Sequence, residues 1–149
     1  MNLKYMDLAF LEADKAFKKG EVPVGVVIVK NDKILAKAFN LKEKTNCVIN
    51  HAEIIAIKRA SKRLKNWRLD DCDMYVTLEP CPMCASAIKQ CRIKNVYSAV
   101  SNKHKNNNYL IDKIFECDET NPAVCFFNNL DCKRSETLLQ KFFSKRRKK

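Results

Sequence analysis

Apolar and polar positions follow two different periods in the first third of the chain. Over residues 3–17 apolar side chains recur every three or four positions with charges between them, which predicts an amphipathic helix ended by Gly20. Residues 22–29 are β-branched and apolar, which predicts a short buried strand, and residues 34–39 predict a second strand after a turn at 31–32. The periodic positions of the helix are Leu3, Met6, Phe10, Ala13 and Phe17.

The middle of the chain continues to alternate helices with strands. A helix begins near Asn50, and a strand covers residues 74–78. A second helix runs from Pro82 to about Cys91, because proline suits the first helical position, and another strand covers residues 96–100.

The last third is less regular. Residues 102–108 are polar and predict a loop, and residues 109–130 are assigned a short helix and a fifth strand. A final helix from residue 131 to the end carries Leu138, Leu139, Phe142 and Phe143 on its apolar side. The alternation predicts one α/β domain over residues 1–149, with a single sheet covered by helices on both faces.

The amino-acid composition limits the classes of protein to which this chain can belong. The 149 residues include 29 Lys and Arg against 17 Asp and Glu, a formal net charge of +12 at pH 7. The longest charge-free apolar run, residues 22–29, is far shorter than a membrane span, and Asp7, Glu12 and Asp14 interrupt any signal-peptide core. We therefore expect a cytoplasmic protein that does not cross a membrane.

The chain has eight cysteines but no export signal, which favours reduced thiols over a disulfide framework. Cys81 and Cys84 have the spacing of a metal-binding pair of thiolates. The other six are expected to be small buried apolar side chains: Cys47, Cys72, Cys91, Cys117, Cys125 and Cys132.

Two segments, one around His51 and one around Cys81, could bind a metal together. We expect Cys81 at a helix cap, Cys84 one turn later on the same side, and His51 at the start of the earlier helix. Three protein ligands leave zinc an open position, where the pKa of a bound water falls towards neutrality. Glu53 lies two residues after the histidine and could move a proton beside that water.

Each of these residues has a simpler interpretation when taken alone. Asn50 and Glu53 have the spacing of a helix capping box, and His51 alone is compatible with an ordinary histidine. Cys81 and Cys84 alone are compatible with a redox pair or half of a structural zinc site.

Taken together, the two segments resemble the cytidine/deoxycytidylate deaminase superfamily and, within it, the bacterial tRNA adenosine deaminases. The resemblance covers nearly the whole chain and is weakest over residues 101–130. The segments that carry it are residues 21–25 (Glu-Val-Pro-Val-Gly), 51–54 (His-Ala-Glu-Ile), 75–84 (Tyr-Val-Thr-Leu-Glu-Pro-Cys-Pro-Met-Cys), 142–143 (Phe-Phe) and 146–147 (Arg-Arg).

The resemblance implies a three-layer α/β/α fold with a mixed five-stranded sheet and one zinc ion bound by His51, Cys81 and Cys84. It implies hydrolytic conversion of the wobble adenosine of a tRNA anticodon loop to inosine, with zinc-activated water attacking C6 of adenine. Glu53 would carry a proton from this water to N1 and then help ammonia leave. Asn40 matches an Asn that contacts the target base, and members of the family are usually homodimers.

Two positions depart from the pattern of many relatives. Residues 47–50 read Cys-Val-Ile-Asn where many relatives have Asp-Pro-Thr-Ala. Asn102 takes the place of an acidic residue near the sugar of the flipped nucleotide. We therefore expect looser discrimination between ribose and deoxyribose, with neutral variation of a loop as the alternative.

Two basic clusters contain no acidic residue. The tip at residues 141–149 is expected to contact RNA as in the family, with a frayed, solvated tail as the alternative. The run at residues 58–68 is better explained as a solvated helix face, with binding of a polyanion as the alternative. Residues 103–105 (Lys-His-Lys) are assigned to the substrate mouth. Trp67 is assigned to packing, with stacking on a base as the alternative. The members of the tip expected to bind substrate are Phe143, Arg146 and Arg147.

Two other functions stay open at this point. A deaminase of a free base or nucleotide, of the guanine or cytosine type, needs no basic tip and acts without tRNA. A zinc-stabilised RNA-binding module without catalysis needs a fourth protein ligand that closes the metal site.

Overall fold

The structure is a computed structural model that describes residues 1–102 and 108–147. Its strands are β1 (Gly25–Lys30), β2 (Lys33–Phe39), β3 (Asp73–Val76), β4 (Asn95–Ser98) and β5 (Cys125–Phe127). Its helices are α1 (Leu3–Lys18), α2 (Lys42–Thr45), α3 (Ala52–Leu64), α4 (Pro82–Gln90), α5 (Asn108–Phe115) and α6 (Cys132–Arg147). The short helix and the fifth strand assigned to residues 109–130 are therefore confirmed as α5 and β5.

The strands form one mixed sheet in the order β2-β1-β3-β4-β5. Strand β1 is antiparallel to β2 and β3, whereas β3, β4 and β5 run parallel. Helix α1 packs against β1, β2 and β3, and α3 packs against β1 and β2. The prediction of a mixed five-stranded sheet with helices on both faces is confirmed.

Strand β1 is an interior strand of the sheet, and its position explains why its sequence is apolar without alternation. Val26 and Ile28 belong to the core cluster that includes the α3 and α4 residues, and Val27 and Val29 belong to the cluster beneath α1. Because successive side chains of a strand point to opposite faces, a strand covered on both faces is apolar throughout.

Helix α6 lies beside α1 and crosses the end of β3. The rings of Phe17 and Phe142 meet at 6.2 Å between centroids, and the Ser135 hydroxyl donates to the carbonyl of Thr77 at 2.6 Å. This contact brings the C-terminal helix to the end of the sheet from which the candidate site is built.

Three predicted strands are longer than the observed ones. The strand predicted over residues 22–29 begins only at Gly25, because the N–H of Val24 donates to the carbonyl of Val22 at 2.8 Å in a tight turn. β3 and β4 end at Val76 and Ser98, two residues early, and the chain beyond each leads to the candidate site. Within the described residues, no helix is long and apolar enough to cross a membrane.

Candidate metal centre and active site

The two segments singled out in the sequence occupy equivalent positions at the starts of two helices. His51 is the N-cap of α3, and Cys81 is the N-cap of α4 with Pro82 in the first turn. Cys84 follows one turn later and is fully buried. The positions predicted for these three side chains are confirmed, and the partial positive charge of both helix N-termini favours thiolates here.

The three ligand atoms lie at distances that suit a zinc ion. Nδ1 of His51 is 3.7 Å from Sγ of Cys81 and 3.5 Å from Sγ of Cys84. A tetrahedral ion with Zn–N of about 2.0–2.1 Å and Zn–S of about 2.3 Å requires N···S separations of about 3.6 Å. All three ligand atoms lie within 4.8 Å of one another, so the donor set and its spacing fit zinc.

Hydrogen bonds within this group lower the pKa of one thiol. The hydrogen bond from Cys84, with a smaller contribution from His51, lowers the pKa of Cys81 to about 4. The same hydrogen bond to Cys81 raises the pKa of Cys84, and the contact with Cys81 raises the pKa of His51. A thiolate is the form of cysteine that binds a metal, so Cys81 is prepared for that role.

Glu53 lies on the first turn of α3, beside the three ligands. Its side chain is 5% exposed, and burial raises the pKa of its carboxyl to about 7. The capping-box interpretation is wrong, because the helix begins at His51 and the side-chain amide of Asn50 donates to Oγ1 of Thr45 at 2.8 Å. The Glu53 carboxyl interacts with its own backbone N–H and with the Cys84 thiol, which places it beside the metal group.

The metal group has three members, and Glu53 is not a fourth. Within residues 1–102 and 108–147, the group whose ligand atoms lie close enough to share an ion consists of His51, Cys81 and Cys84. A structural zinc site uses four protein ligands, whereas a catalytic site keeps one position open. The described part of the chain fits the open type.

Two further buried acids support the site, and sequence analysis assigned no role to either of them. Glu21 is 0% exposed, and its carboxylate accepts the backbone N–H groups of Glu43 and Lys44 at 3.1 and 2.6 Å. Glu79 is 5% exposed, and its Oε2 accepts the N–H of Asn102 at 2.8 Å. Both glutamates belong to segments that carry the family resemblance, and their burial is visible only in the fold.

Asn40 and Asn102, the two asparagines predicted to bind substrate, are held near the site by hydrogen bonds that involve the backbone. Asn40 is 8% exposed; its amide donates to the carbonyl of Val22 at 3.5 Å, and its Oδ1 accepts the N–H of Lys42 at 3.3 Å. Asn102 follows β4 and is half-buried. The N–H of Leu41 donates to the carbonyl of Asn50 at 3.1 Å, which joins the Asn40 loop to the residue before His51.

A cavity of about 560 Å³ lies between α6 and the ends of β3 and β4. Asn102, Phe143 and Arg147 line it together with Val22 and Leu78. Arg146 faces a different cavity, of about 420 Å³, which it shares with Phe17 and Phe142. The structure thus brings three of the residues predicted to bind substrate to one cavity and separates Arg146 from them.

The basic run at residues 58–68 is remote from the metal group. All of its lysines and arginines are exposed, as expected for a solvated face. They lie along the C-terminal part of α3 and beyond, whereas His51 is at the start of that helix.

The packing role predicted for Trp67 is wrong. Its side chain is 57% exposed, and the guanidinium groups of Arg68 and Arg92 lie 5.1 and 5.8 Å from its ring. Residues 103–105, assigned to the substrate mouth, and residues 148–149 of the tip lie outside the described residues.

The prediction of six buried cysteines is only partly right. Cys72 and Cys91 are buried, and Cys47 and Cys132 are half-buried. Cys117 and Cys125 are exposed; they lie in the loop after α5 and on the edge strand β5.

Similar proteins include three enzymes that act on tRNA. The tRNA-specific adenosine deaminase of Bacillus subtilis is 51% identical over 92 residues, 62% of this chain and 57% of that protein. That of Streptococcus pyogenes serotype M18 (strain MGAS8232) is 35% identical over 145 residues, 97% of this chain and 91% of that protein. The chloroplastic tRNA(adenine(34)) deaminase of Arabidopsis thaliana is 48% identical over 99 residues, 66% of this chain, which spans 8% of that protein.

Solved structures and a family model also match this chain. A protein from a study of A-to-I editing by tRNA:A34 deaminases at the wobble position has a TM-score of 0.85 and 33% identity, covering 93% of this chain and all of that one. The guanine deaminase of Bacillus subtilis has a TM-score of 0.66 and 30% identity, covering 99% of this chain and 95% of that one. Residues 1–100 match the cytidine and deoxycytidylate deaminase zinc-binding region, and the chain belongs to this family.

Proposed function

We propose that this protein is a zinc-dependent hydrolase that converts adenosine to inosine at the wobble position of a tRNA anticodon loop. The observation that carries the proposal is the group of His51, Cys81 and Cys84 at tetrahedral spacing with the buried carboxylate of Glu53 beside it. The relatives named tRNA-specific adenosine deaminase support the substrate class.

The reaction replaces the 6-amino group of adenine with oxygen and releases ammonia. When bound by His51, Cys81 and Cys84, zinc lowers the pKa of water in its open position. Glu53 accepts a proton from the attacking water and delivers it to N1 of the adenine. Glu53 then takes the proton of the hydroxyl group now on C6 and passes it to the amino group. The C6–N bond breaks, ammonia leaves, and C6 keeps the oxygen as a carbonyl while N1 keeps its hydrogen. Burial of Glu53 keeps bulk water away from this exchange.

Asn40 and Asn102 act on the substrate in this proposal. Both lie at strand ends beside the site, and backbone contacts fix their positions. The Asn40 side chain contacts the target base, and the Asn102 amide faces the sugar without the charge of a carboxylate. We therefore expect weaker discrimination between ribose and deoxyribose. The test compares the deamination rates of the wild type and Asn102→Asp on matched RNA and DNA loops. Equal RNA-to-DNA rate ratios for the two proteins would contradict this role.

The C-terminal helix supplies the RNA-binding surface. Phe143 and Arg147 line the cavity beside Asn102, where an unstacked base can contact the phenylalanine ring and a phosphate the guanidinium. Arg146 is positioned for the RNA backbone on the other side of the helix. The proposed partner is the anticodon stem-loop, which is in keeping with the cytoplasmic location expected from the sequence.

A homodimer is the proposed assembly. Large apolar side chains are exposed next to the metal ligands: Val48 is 71%, Ile49 44% and Met83 36% exposed. A second subunit that covers them would exclude water from the edge of the site. Light scattering at micromolar protein concentration tests this assembly, and a monomeric mass there would contradict it.

Deamination of a free purine is the second candidate, favoured by the 30% identity to a guanine deaminase. The deciding experiment incubates the zinc-loaded protein with an anticodon stem-loop carrying adenosine at the wobble position. Guanine, cytosine and free adenosine are incubated in parallel. Inosine in the RNA supports the first proposal; turnover of a free base with intact RNA supports the second.

A further inference from the structure

An exposed tryptophan lies at the opposite end of α3 and α4 from the metal ligands. Trp67 follows the C-terminus of α3, and its side chain is 57% exposed. Arg68 is the next residue, and Arg92 follows the C-terminus of α4. Their guanidinium groups lie 5.1 and 5.8 Å from the tryptophan ring, within the range of a cation–π contact. These three residues form the Trp67 cluster.

Hydrogen bonds fix the two segments that carry the cluster. The N–H of Leu69, whose side chain is fully buried, donates to the carbonyl of Cys91 at 2.7 Å. The guanidinium of Arg92 donates to the carbonyl of Thr120 at 3.2 Å. Because the chain is anchored on both sides of the indole, the ring is presented to solvent on a fixed support.

Positive charge dominates around the Trp67 cluster. Residues 58–71 and 92–94 contain eight lysines and arginines against two acidic residues, Asp70 and Asp71. Asp71 lies 3.9 Å from the ammonium of Lys94, so one of the two acids has a basic partner. An exposed aromatic ring between guanidinium groups suits an unpaired nucleotide, because the base stacks on the ring and the guanidinium groups bind phosphates.

The cluster is separate from the surface proposed for dimerisation. Val48, Ile49 and Met83 lie at or just before the first turns of α3 and α4, whereas the cluster follows the last turns of the same helices. α3 has 13 residues and α4 has 9, so the two ends are about 14–20 Å apart at about 1.5 Å per residue. A nucleotide bound at the cluster is therefore not the adenosine that reacts.

We propose that the Trp67 cluster binds an unpaired nucleotide of the RNA substrate, other than the one that is deaminated. Its base stacks on the indole of Trp67, and Arg68 and Arg92 bind the phosphates beside it. More than half of the tryptophan side chain is exposed with both arginines in place, so a base has a free surface to contact. This inference rests on the proposed function and adds a second RNA contact to it.

Intrinsic fluorescence reports on the cluster directly, because Trp67 is the only tryptophan of the chain. The zinc-loaded full chain is titrated with tRNA that carries inosine at the wobble position, a product that is not turned over. Heparin supplies a polyanion without bases, and a dilution series without RNA tests for contact between copies of the protein.

We expect saturable quenching of Trp67 emission by tRNA and little change with heparin or dilution. Emission that does not respond to tRNA would overturn the inference. Equal quenching by heparin would overturn it in favour of a general anion site. Emission that changes on dilution without RNA would identify the cluster as a contact between subunits instead.

Substitutions at Trp67 test the stacking. Trp67→Ala should weaken tRNA binding about 5- to 10-fold, towards the low end for loss of one base–aromatic stack, and Trp67→Phe should recover most of it. Leu11→Ala is the matched control, because it removes a 55% exposed apolar side chain from α1 and should bind tRNA as the wild type does. Fluorescence anisotropy of labelled tRNA measures the affinities, and the zinc content of each variant is recorded. Equal affinities for Trp67→Ala and the wild type would contradict stacking.

The salt dependence of tRNA binding tests the two arginines. In Arg68→Gln/Arg92→Gln the slope of log K against log salt should shrink by about 1.4, the value for two phosphates on a single strand. Lys4→Gln/Lys33→Gln removes two exposed charges from α1 and β2 and should keep the wild-type slope. An unchanged slope in the arginine variant would overturn the phosphate contacts.

The outcomes for this inference and for the proposed function are distinct. A wild-type protein that deaminates no RNA contradicts the proposed function. An active wild type whose Trp67 emission and salt slope show no contact with tRNA contradicts this inference alone.

Discussion

Nδ1 of His51 lies 3.5 Å from Sγ of Cys84, although 33 residues separate them in the chain. The two side chains come from the first turns of α3 and α4, which begin side by side at one end of the sheet. A metal bound there links two crossover helices, so removing a ligand should affect both metal content and stability.

Replacing Glu53 with glutamine should separate metal binding from catalysis. Glu53 is close to the ligands without belonging to them, so Glu53→Gln should retain zinc while deamination falls by about 10²–10⁴-fold, the usual contribution of a general acid–base. Zinc content by atomic absorption and inosine formation are the two measurements. Cys84→Ala is the control that should lose zinc. Loss of zinc from Glu53→Gln would instead make Glu53 a ligand.

Replacing each of the chain's two glycines with alanine should change the free energy of unfolding by very different amounts. A Cβ at Gly25 would lie 1.9 Å from the carbonyl oxygen of Ala9 and 2.5 Å from the nitrogen of Ala13, so α1 could not pack on β1. We expect Gly25→Ala to cost about 3 kcal/mol or more in the free energy of unfolding. Gly20 has φ of +76° and open space around it, so Gly20→Ala should cost about 1 kcal/mol from the left-handed backbone alone. Urea unfolding compares them, and equal costs would contradict the close packing.

The structural cysteines should differ in reactivity at pH 8. Burial raises the pKa of Cys72 to about 11 and that of Cys91 to about 12, so both stay protonated and inaccessible in the folded protein. Cys117 and Cys125 are exposed. Mass spectrometry after brief iodoacetamide treatment should find the exposed pair modified and the buried pair modified only after unfolding. Early alkylation of Cys91 would contradict its burial.

Asp118 should contribute stability that depends on pH. Its Oδ2 lies 2.8 Å from the Lys89 ammonium, and its Oδ1 accepts the N–H groups of Thr120 and Asn121, each at 2.8 Å. The contact with Lys89, above all, lowers the pKa of Asp118. Because the folded pKa is below the unfolded one of about 3.9, the stabilisation is complete well above that pH and is lost on acidification.

The comparison is between wild type and Asp118→Asn in urea. At pH 6–7 the urea midpoint of unfolding should be higher for the wild type than for Asp118→Asn. The difference between the two midpoints should narrow as the pH falls below about 4. Asp71→Asn, which removes a 3.9 Å surface ion pair with Lys94, should have little effect at any pH. A difference between the wild-type and Asp118→Asn midpoints that widens on acidification would show that the native state does not favour ionised Asp118.

Much of the secondary structure could be predicted from local sequence patterns. The period of apolar residues in α1, the β-branched run of β1 and the proline after Cys81 act locally, through helix periodicity, strand preference and a fixed φ angle. The spacing of His51, Cys81 and Cys84 likewise indicated a metal site, because ligand type and helix position are local properties.

Which charged groups are buried, and which of them come into contact, depends instead on the packing of the whole fold. Glu21, Glu53 and Glu79 differ little from surface glutamates in sequence, yet each is at most 5% exposed. The division of Phe143 from Arg146 between two cavities likewise depends on how α1 and α6 pack. Burial and long-range contact arise from the packing of distant segments, and no local pattern encodes them.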